Sequence, residues 1–233
     1  MKACVVVPTY NEKENVAPMV DGVKAVGITG LDLLCVDDSS PDGTADVVRR
    51  ISTREPWVHL MVREAKKGIG SAYQDGFRHA LKSLAPDVLV EMDADLQHPP
   101  SVLREILAAI DEGADVVIAS RYVQGGGTVG WGTGRRMVSR GANALVRLLL
   151  GLQVRDCTSG FRGYTRAAAE KVVKASLPAK GFEFQVATLH LLKTHARIVE
   201  VPFTFTSRKV GKSKLGFADL ARFLFSIVRM SMG

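Results

Sequence analysis

Five short apolar runs recur through the first half of the 233-residue sequence: ACVVV (3–7), DLLCV (32–36), VHLMV (58–62), DVLVEM (87–92) and DVVIA (115–119). They are continuous rather than alternating, the pattern of strands covered on both faces. Helical spacing fills the intervals near 12–26, 43–54, 69–84 and 100–112. Start signals mark two of these helices, Asp42 with Thr44 and Pro99-Pro100 with Ser101. This rhythm predicts an α/β chain with a mostly parallel central sheet and helices on both faces, its first half Rossmann-like.

The rhythm breaks after residue 120. The glycine-rich YVQGGGTVGWGTG is expected to be a mobile loop, bracketed by Arg121 before it and by Arg135, Arg136 and Arg140 after it. A helix is expected at about 134–150, then the turn-rich DCTSGFRGYTR, a helix near 181–196 and a strand IVEVPFTF at 198–205. The basic SRKVGKSKLG leads into a last amphipathic helix, with apolar residues at 217, 220, 223, 224, 227 and 228 and Arg222 and Arg229 beside them. No repeat or linker divides the chain, which reads as one domain of 1–233 with a ligand-binding half (1–120) and a second half (121–233) that shapes an acceptor site.

The formal charge of +7 favours anionic partners. Only 6% of residues are aromatic and no helix-turn-helix pattern is visible, so nucleic acid is not the expected partner. Cys4, Cys35 and Cys157 are scattered, which predicts a reducing compartment, with Cys4 and Cys35 packed in strands. The start MKACVVVPTYNE is too short in apolar residues for a signal peptide. No window offers the roughly 18 apolar residues of a membrane span.

In an open parallel sheet, ligands gather at the carboxyl ends of the strands. Four runs end in polar clusters: PTYNE, VDDSSPDGT, MDADLQ and SRY. In DADLQ, Asp93 and Asp95 project to one side and could share a divalent cation with a diphosphate, Gln97 adding a neutral oxygen. The bland alternative for Asp95 is a helix cap. Asp38 could accept hydrogen bonds from a base or ribose, Asp42 reads as a turn and cap residue, and Tyr10 and Glu12 offer stacking and hydrogen bonding. There is no GxxxxGK[ST], no GxGxxG after the first strand and no nucleophile elbow, which argues against P-loop, dinucleotide and serine-hydrolase chemistry.

Taken together, VVPTYNEKENV, VDDSSPDGTADV, KKGIGSAYQDGF, EMDADLQHPP, ASRY, DCTSGFRGYTR and FTSRKVGKSKL, in this order, resemble family 2 glycosyltransferases and, more narrowly, dolichyl-phosphate (polyprenyl-phosphate) mannose synthases. The resemblance implies a GT-A fold and inverting transfer of mannose from GDP-mannose to a polyprenyl monophosphate, in the service of protein glycosylation. Carried over by motif, Pro8, Tyr10, Glu12, Val36 and Asp38 would hold guanosine. Asp93, Ala94, Asp95 and Gln97 would hold Mg²⁺ or Mn²⁺ and the diphosphate. Arg121, Arg208 and Lys214 would face the donor phosphates and the sugar, Asp95, Arg121 and Arg208 acting in catalysis. Arg121, Arg135 and Ser139 would receive the lipid phosphate.

A phosphate monoester has a second pKa of about 6, so the implied nucleophile is largely dianionic at neutral pH and needs no dedicated base. Positioning and charge control remain. The same resemblance implies a peripheral place at the cytosolic face of a membrane, where a small anchoring subunit could take part. The alternatives are a UDP-glucose-dependent polyprenyl-phosphate glucosyltransferase, a sugar-phosphate nucleotidyltransferase, and a basic module that binds anionic membranes or nucleic acid.

Overall fold

A computed structural model describes residues 1–175, 177–178, 181, 183–207 and 217–232; for 217–222 and 224 it describes the backbone only. The five expected strands are β1 (Ala3–Thr9), β2 (Leu31–Asp37), β3 (Val58–Val62), β4 (Val88–Glu91) and β5 (Val116–Ser120). Between them run α1 (Lys13–Val26), α2 (Thr44–Ser52), α3 (Ile69–Ser83) and α4 (Leu103–Asp111), the last preceded by a 3₁₀ turn at Pro100–Val102. Then follow β6 (Gly127–Val129), α5 (Thr133–Leu150), β7 (Arg162–Thr165), α6 (Arg166–Ala175), α7 (Phe184–Leu192), β8 (Ile198–Pro202), β9 (Thr204–Thr206) and α8 (Phe217–Ser231).

Seven strands form one sheet in the order β3-β2-β1-β4-β7-β5-β8. All pairings are parallel except those of β7, which runs antiparallel to both β4 and β5. This is the mostly parallel α/β sheet read from the sequence. Side chains alternate across it. Val5, Val7, Leu33, Cys35 and Val90 face α1 and α4, whereas Cys4, Val6, Leu34, Val36 and Leu89 face α3, α6 and α7. Burial on both faces is why these runs are continuously apolar. A third cluster joins Val146 and Leu150 of α5, Val186 and Leu189 of α7 and Ile227 of α8. α3 lies close on the sheet because residue 76 is glycine: a Cβ there would sit 2.5 Å from Val6 Cγ1.

Four expectations need correction. The glycine-rich segment is folded, since β6 pairs in parallel with β9 as a two-stranded ribbon. The expected strand 198–205 is two strands. Buried Phe203 separates them, its N–H donating to Ser120 O at 3.1 Å and its carbonyl accepting Gly127 N–H at 3.0 Å. The chain thus leaves the main sheet at Phe203 to cover the glycine-rich segment. Within DCTSGFRGYTR, RGYT is an inserted strand, β7, and α6 follows it directly. The helix expected at 181–196 is the shorter α7.

Candidate active site

β1 and β4 are neighbours, and the strand order reverses there, so the carboxyl ends of β1, β2 and β4 open onto one crevice. Inserting β7 antiparallel has a second effect. Arg162, its first residue, lies opposite Glu91 and Ile118, so the turn at 156–161 arrives at the same edge as the ends of β4 and β5.

On the β1–β2 side, Pro8 pairs with Val36 in the ladder. Tyr10 follows β1, and Lys66 Nζ lies 3.9 Å from the centre of its ring. Glu12 opens α1; its carboxylate accepts Asn15 Nδ2 at 2.6 Å and its N–H donates to Thr44 Oγ1 at 3.0 Å. Asp42 is a turn residue, accepting the Thr44 N–H at 2.9 Å. Asp37 is also structural, buried and accepting Thr9 Oγ1 at 2.9 Å and the Ser40 N–H at 2.8 Å. Asp38 reaches the crevice edge and is gripped by Arg63 Nη1 at 2.6 Å. Arg63 is itself buried and also bonds Ser71 Oγ at 2.6 Å and Asp75 Oδ2 at 3.1 Å. Burial pushes the Asp38 carboxyl above its usual range, and Arg63 offsets only part of that.

After β4 the chain turns sharply through Asp93, Ala94 and Asp95, with Leu96 in the left-handed region at φ 63°. The Gln97 N–H donates to Asp95 Oδ1 at 3.0 Å, closing the turn. Asp93 is held from behind: Tyr73 OH donates to its Oδ1 at 3.2 Å and its N–H donates to His98 Nδ1 at 3.0 Å. His98 is buried and stacks on Phe161, ring centres 4.9 Å apart. Gln97 Nε2 donates to Thr206 O at 3.0 Å, tying this turn to β9 and leaving Oε1 as the oxygen the amide can offer. Ala94 is buried, so its place in the turn is steric. The turn therefore presents hard oxygen donors, the set that suits a divalent cation shared with phosphates. Among the described residues no group of three His, Cys, Asp or Glu side chains converges to form a complete metal cage.

Across the crevice, Arg121 follows β5 and is buried. Its Nε and Nη2 grip Asp156 at 2.7 and 2.6 Å, its N–H donates to the same carboxylate at 3.0 Å, and Nη2 also reaches Thr158 Oγ1 at 2.8 Å. Burial pushes Asp156 up, but the Arg121 hydrogen bonds and charge outweigh it and hold the carboxyl below its usual range. Two of the five donors of Arg121, Nε–H and one Nη2–H, are thereby committed to Asp156. Arg135 on α5 stacks on Trp131 at 4.1 Å. Burial and the nearby Arg121 charge draw its guanidinium below the usual range. Ser139, one turn on, accepts Tyr122 OH at 2.6 Å. Arg121, Arg135 and Ser139 thus line one wall, while Asp38, Asp93 and Asp95 belong to the other. Arg208 and Lys214 lie outside the described residues.

Glycosyl transferase family 2 is the family whose model matches, over residues 4–173. The chain belongs to this family. It is 40% identical over 228 residues to polyprenol monophosphomannose synthase of Mycolicibacterium smegmatis, covering 97% of this chain and 85% of the relative. It is 39% identical to undecaprenyl-phosphate mannosyltransferase of Micrococcus luteus, over 100% of this chain and 95% of the relative. Dolichol-phosphate mannosyltransferase of Pyrococcus furiosus is 36% identical over 99% of this chain, which spans 64% of that relative. The fold matches glucosyl-3-phosphoglycerate synthase of Mycobacterium tuberculosis, in complex with Mn²⁺, UDP-glucose and phosphoglyceric acid, with a TM-score of 0.69 at 20% identity, covering 99% of this chain and 78% of the other. It also matches a mannosyltransferase of Pyrobaculum calidifontis, in complex with GDP-mannose and Mn²⁺, with a TM-score of 0.63 at 17% identity over 99% and 62% of the two chains. This glycosyltransferase therefore has the GT-A fold.

Residue-by-residue reading missed four side chains that hold the candidate residues in place: Arg63, His98, Asn143 and Asp156. Asn143 joins α5 to the turn at 156–161: Nδ2 donates to Ser139 O at 2.9 Å and Oδ1 accepts the Cys157 N–H at 2.7 Å. Its spacing from Arg135 and Ser139, four residues at each step, was the available signal. Arg162, buried at the start of β7, donates to the carbonyls of Gln185 at 2.5 Å and Cys157 at 2.7 Å. Nothing in the local sequence marks it as buried.

Proposed function

We propose that this glycosyltransferase moves mannose from GDP-mannose to a polyprenyl (dolichyl) monophosphate, inverting the anomeric centre and giving polyprenyl-phosphate mannose. What carries the proposal is one juxtaposition, an acidic turn and an arginine-bearing helix at the same edge of the sheet, in a chain with three relatives at 36–40% identity named for mannosyl transfer to a polyprenyl phosphate or for the product of that transfer. The domain acts as one unit, 1–120 for donor and cation and 121–233 for acceptor.

In this reading Tyr10, Glu12, Pro8, Val36 and Asp38 hold the nucleoside, Arg63 fixing Asp38. Asp93, Asp95 and the Gln97 amide oxygen hold Mg²⁺ or Mn²⁺. The cation supplies Lewis-acid stabilisation of charge on the departing diphosphate. Arg135, Ser139 and Arg121 receive the acceptor phosphate, and the stacked Arg135 suits bidentate phosphate contact. Arg208 and Lys214 are assigned to the donor phosphates by motif alone. The phosphate oxygen attacks C1 from the face opposite the leaving group. Its own charge makes a general base unnecessary, so the protein's work is to hold two anions in line. The enzyme works as a peripheral protein at the cytosolic face of a membrane. Among the described residues no helix is long and apolar enough to cross one.

The test is transfer of labelled sugar from GDP-mannose or UDP-glucose to a short polyprenyl phosphate with Mg²⁺ or Mn²⁺. Wild type is expected to make lipid-linked mannose of inverted configuration, and Asp95→Asn to lose roughly 10²–10³-fold in rate, the scale of removing one preorganised electrostatic contact. Glucose transfer instead would keep the mechanism and change the donor. Transfer that survives Asp95→Asn and chelation would remove the cation from the proposal.

A further inference from the structure

Helix α5 carries two stripes. Met137, Gly141, Ala144, Leu145 and Leu148 recur at helical spacing on one face. Met137 is 69% exposed and Leu148 81% exposed. Arg136, Arg140 and Arg147 follow the same spacing on the adjacent flank, and the helix contains no acidic residue. α8 packs against α5 and adds exposed Phe225 and Val228. The acceptor wall is thus continuous with an apolar strip edged by arginines.

Beside that strip is a cavity of ≈ 280 Å³ lined by Tyr122, Arg140, Asn143, Ala144, Arg147 and Arg155. Three of its six lining residues are arginines and none is acidic. Among the described residues no ion pair or hydrogen bond occupies the guanidinium of Arg140, Arg147 or Arg155. Arg140 lies 5.9 Å from the Tyr122 ring centre. Two acids lie near Arg155: Glu200 accepts the N–H groups of Arg155 at 2.7 Å and Asp156 at 2.9 Å, and Asp156 is paired with Arg121. Three unneutralised guanidinium groups around one concavity cost self-repulsion and suit an anion with several acceptor oxygens.

We propose that this cavity binds the phosphate of an anionic phospholipid headgroup, seating α5 and α8 on the bilayer beside the acceptor site. It adjoins Ser139 through Tyr122 and Asn143, which both hydrogen-bond that residue, but its arginines are not Arg121 or Arg135, and it rests on the lipid-acceptor reading only for placing this face at a membrane. The adjoining exposed apolar strip is what selects a lipid-borne phosphate over a free one.

The experiment is flotation of the full chain with vesicles of phosphatidylcholine alone or mixed with phosphatidylglycerol, both without polyprenyl phosphate, so that failed transfer chemistry leaves the readout intact. Wild type is expected to prefer the phosphatidylglycerol vesicles. Arg147→Gln with Arg155→Gln should cut that partition about 25-fold, the scale of two basic residues at an anionic surface, and leave binding to pure phosphatidylcholine unchanged. The pair Arg49→Gln with Arg50→Gln removes the same charge from exposed α2 and should retain the preference; equal loss there means generic charge attraction and overturns the cavity assignment. No preference in wild type overturns it, as does its survival in the cavity double variant. Glycerol phosphate in solution that displaces the protein as well as the vesicles capture it would make the cavity a free-phosphate site and overturn the lipid assignment. Circular dichroism and thermal melting of both double variants confirm that they are folded.

Discussion

Each wall of the crevice is anchored by a buried arginine–aspartate pair, and the two pairs behave differently. Arg63 spreads its donors over Asp38, Ser71 and Asp75 and gives Asp38 one contact of 2.6 Å. Arg121 concentrates on one carboxylate, with Nε, Nη2 and its own N–H all reaching Asp156. Asp38 is consequently pushed up by burial and Asp156 is held down in spite of it. A buried opposite charge does not by itself hold a carboxyl below its usual range. The number and alignment of hydrogen bonds decide whether pairing outweighs desolvation. One wall keeps an aspartate at the crevice edge that its arginine holds through a single contact. On the other wall Arg121 is locked to Asp156, and Arg135 stands beside it, stacked on Trp131.

The largest effect that separates the pairs is in stability. Arg121→Ala strands Asp156 as a charge in the interior and should cost about 3–5 kcal/mol. At about 2–4 °C per kcal/mol for a chain of this size, the thermal midpoint should fall by roughly 10 °C. Arg121→Lys should recover only part of that, since an ammonium cannot make two parallel bonds to one carboxylate. A melting curve within a degree or two of wild type for Arg121→Ala would break the contrast.

Arg63→Met should be milder, about 1–3 kcal/mol, because Asp75 is partly solvated and Asp38 is less completely enclosed than Asp156. Its clearer signature is expected in kinetics, with KM for the nucleotide sugar rising more than kcat falls. An equal fall in kcat at unchanged KM would take Asp38 out of ground-state donor binding.

The smallest effect is in the acid limb. Asp156 has a folded pKa below its unfolded value, so its contribution is complete above about pH 4 and is lost as pH falls through that range. Asp38 is the reverse: its folded pKa is raised, so its contribution is present below about pH 4 and is lost as pH rises through the folded value. Urea midpoints measured across this range should therefore show a flatter acid limb for Asp156→Asn and a steeper one for Asp38→Asn. The same change of slope in both variants would erase the distinction.

The five parallel strands and their helices were legible because each run is apolar on both faces and each helix keeps its spacing. The acidic turn was legible because Asp93 and Asp95 interrupt such a run. The glycine-rich segment misled because glycine content reports conformational freedom, whereas its order comes from a partner strand some 75 residues later. RGYT misled because a short strand led by arginine reads as a turn. Burying that arginine required carbonyls from Cys157 and Gln185, which no local pattern reveals.

The sequence by itself determined the first five strands, their carboxyl-end polar clusters and the chemistry those residue types can perform, because periodicity and strand ends are local properties. Only the tertiary structure decided which charges meet. It paired Arg63 with Asp38 and Arg121 with Asp156, placed His98 behind Asp93, and gathered Arg140, Arg147 and Arg155 around one cavity. Pairing depends on how separate segments pack, and for Arg121 with Asp156 the distance exists only because the antiparallel β7 brings the turn before it to the carboxyl ends of β4 and β5.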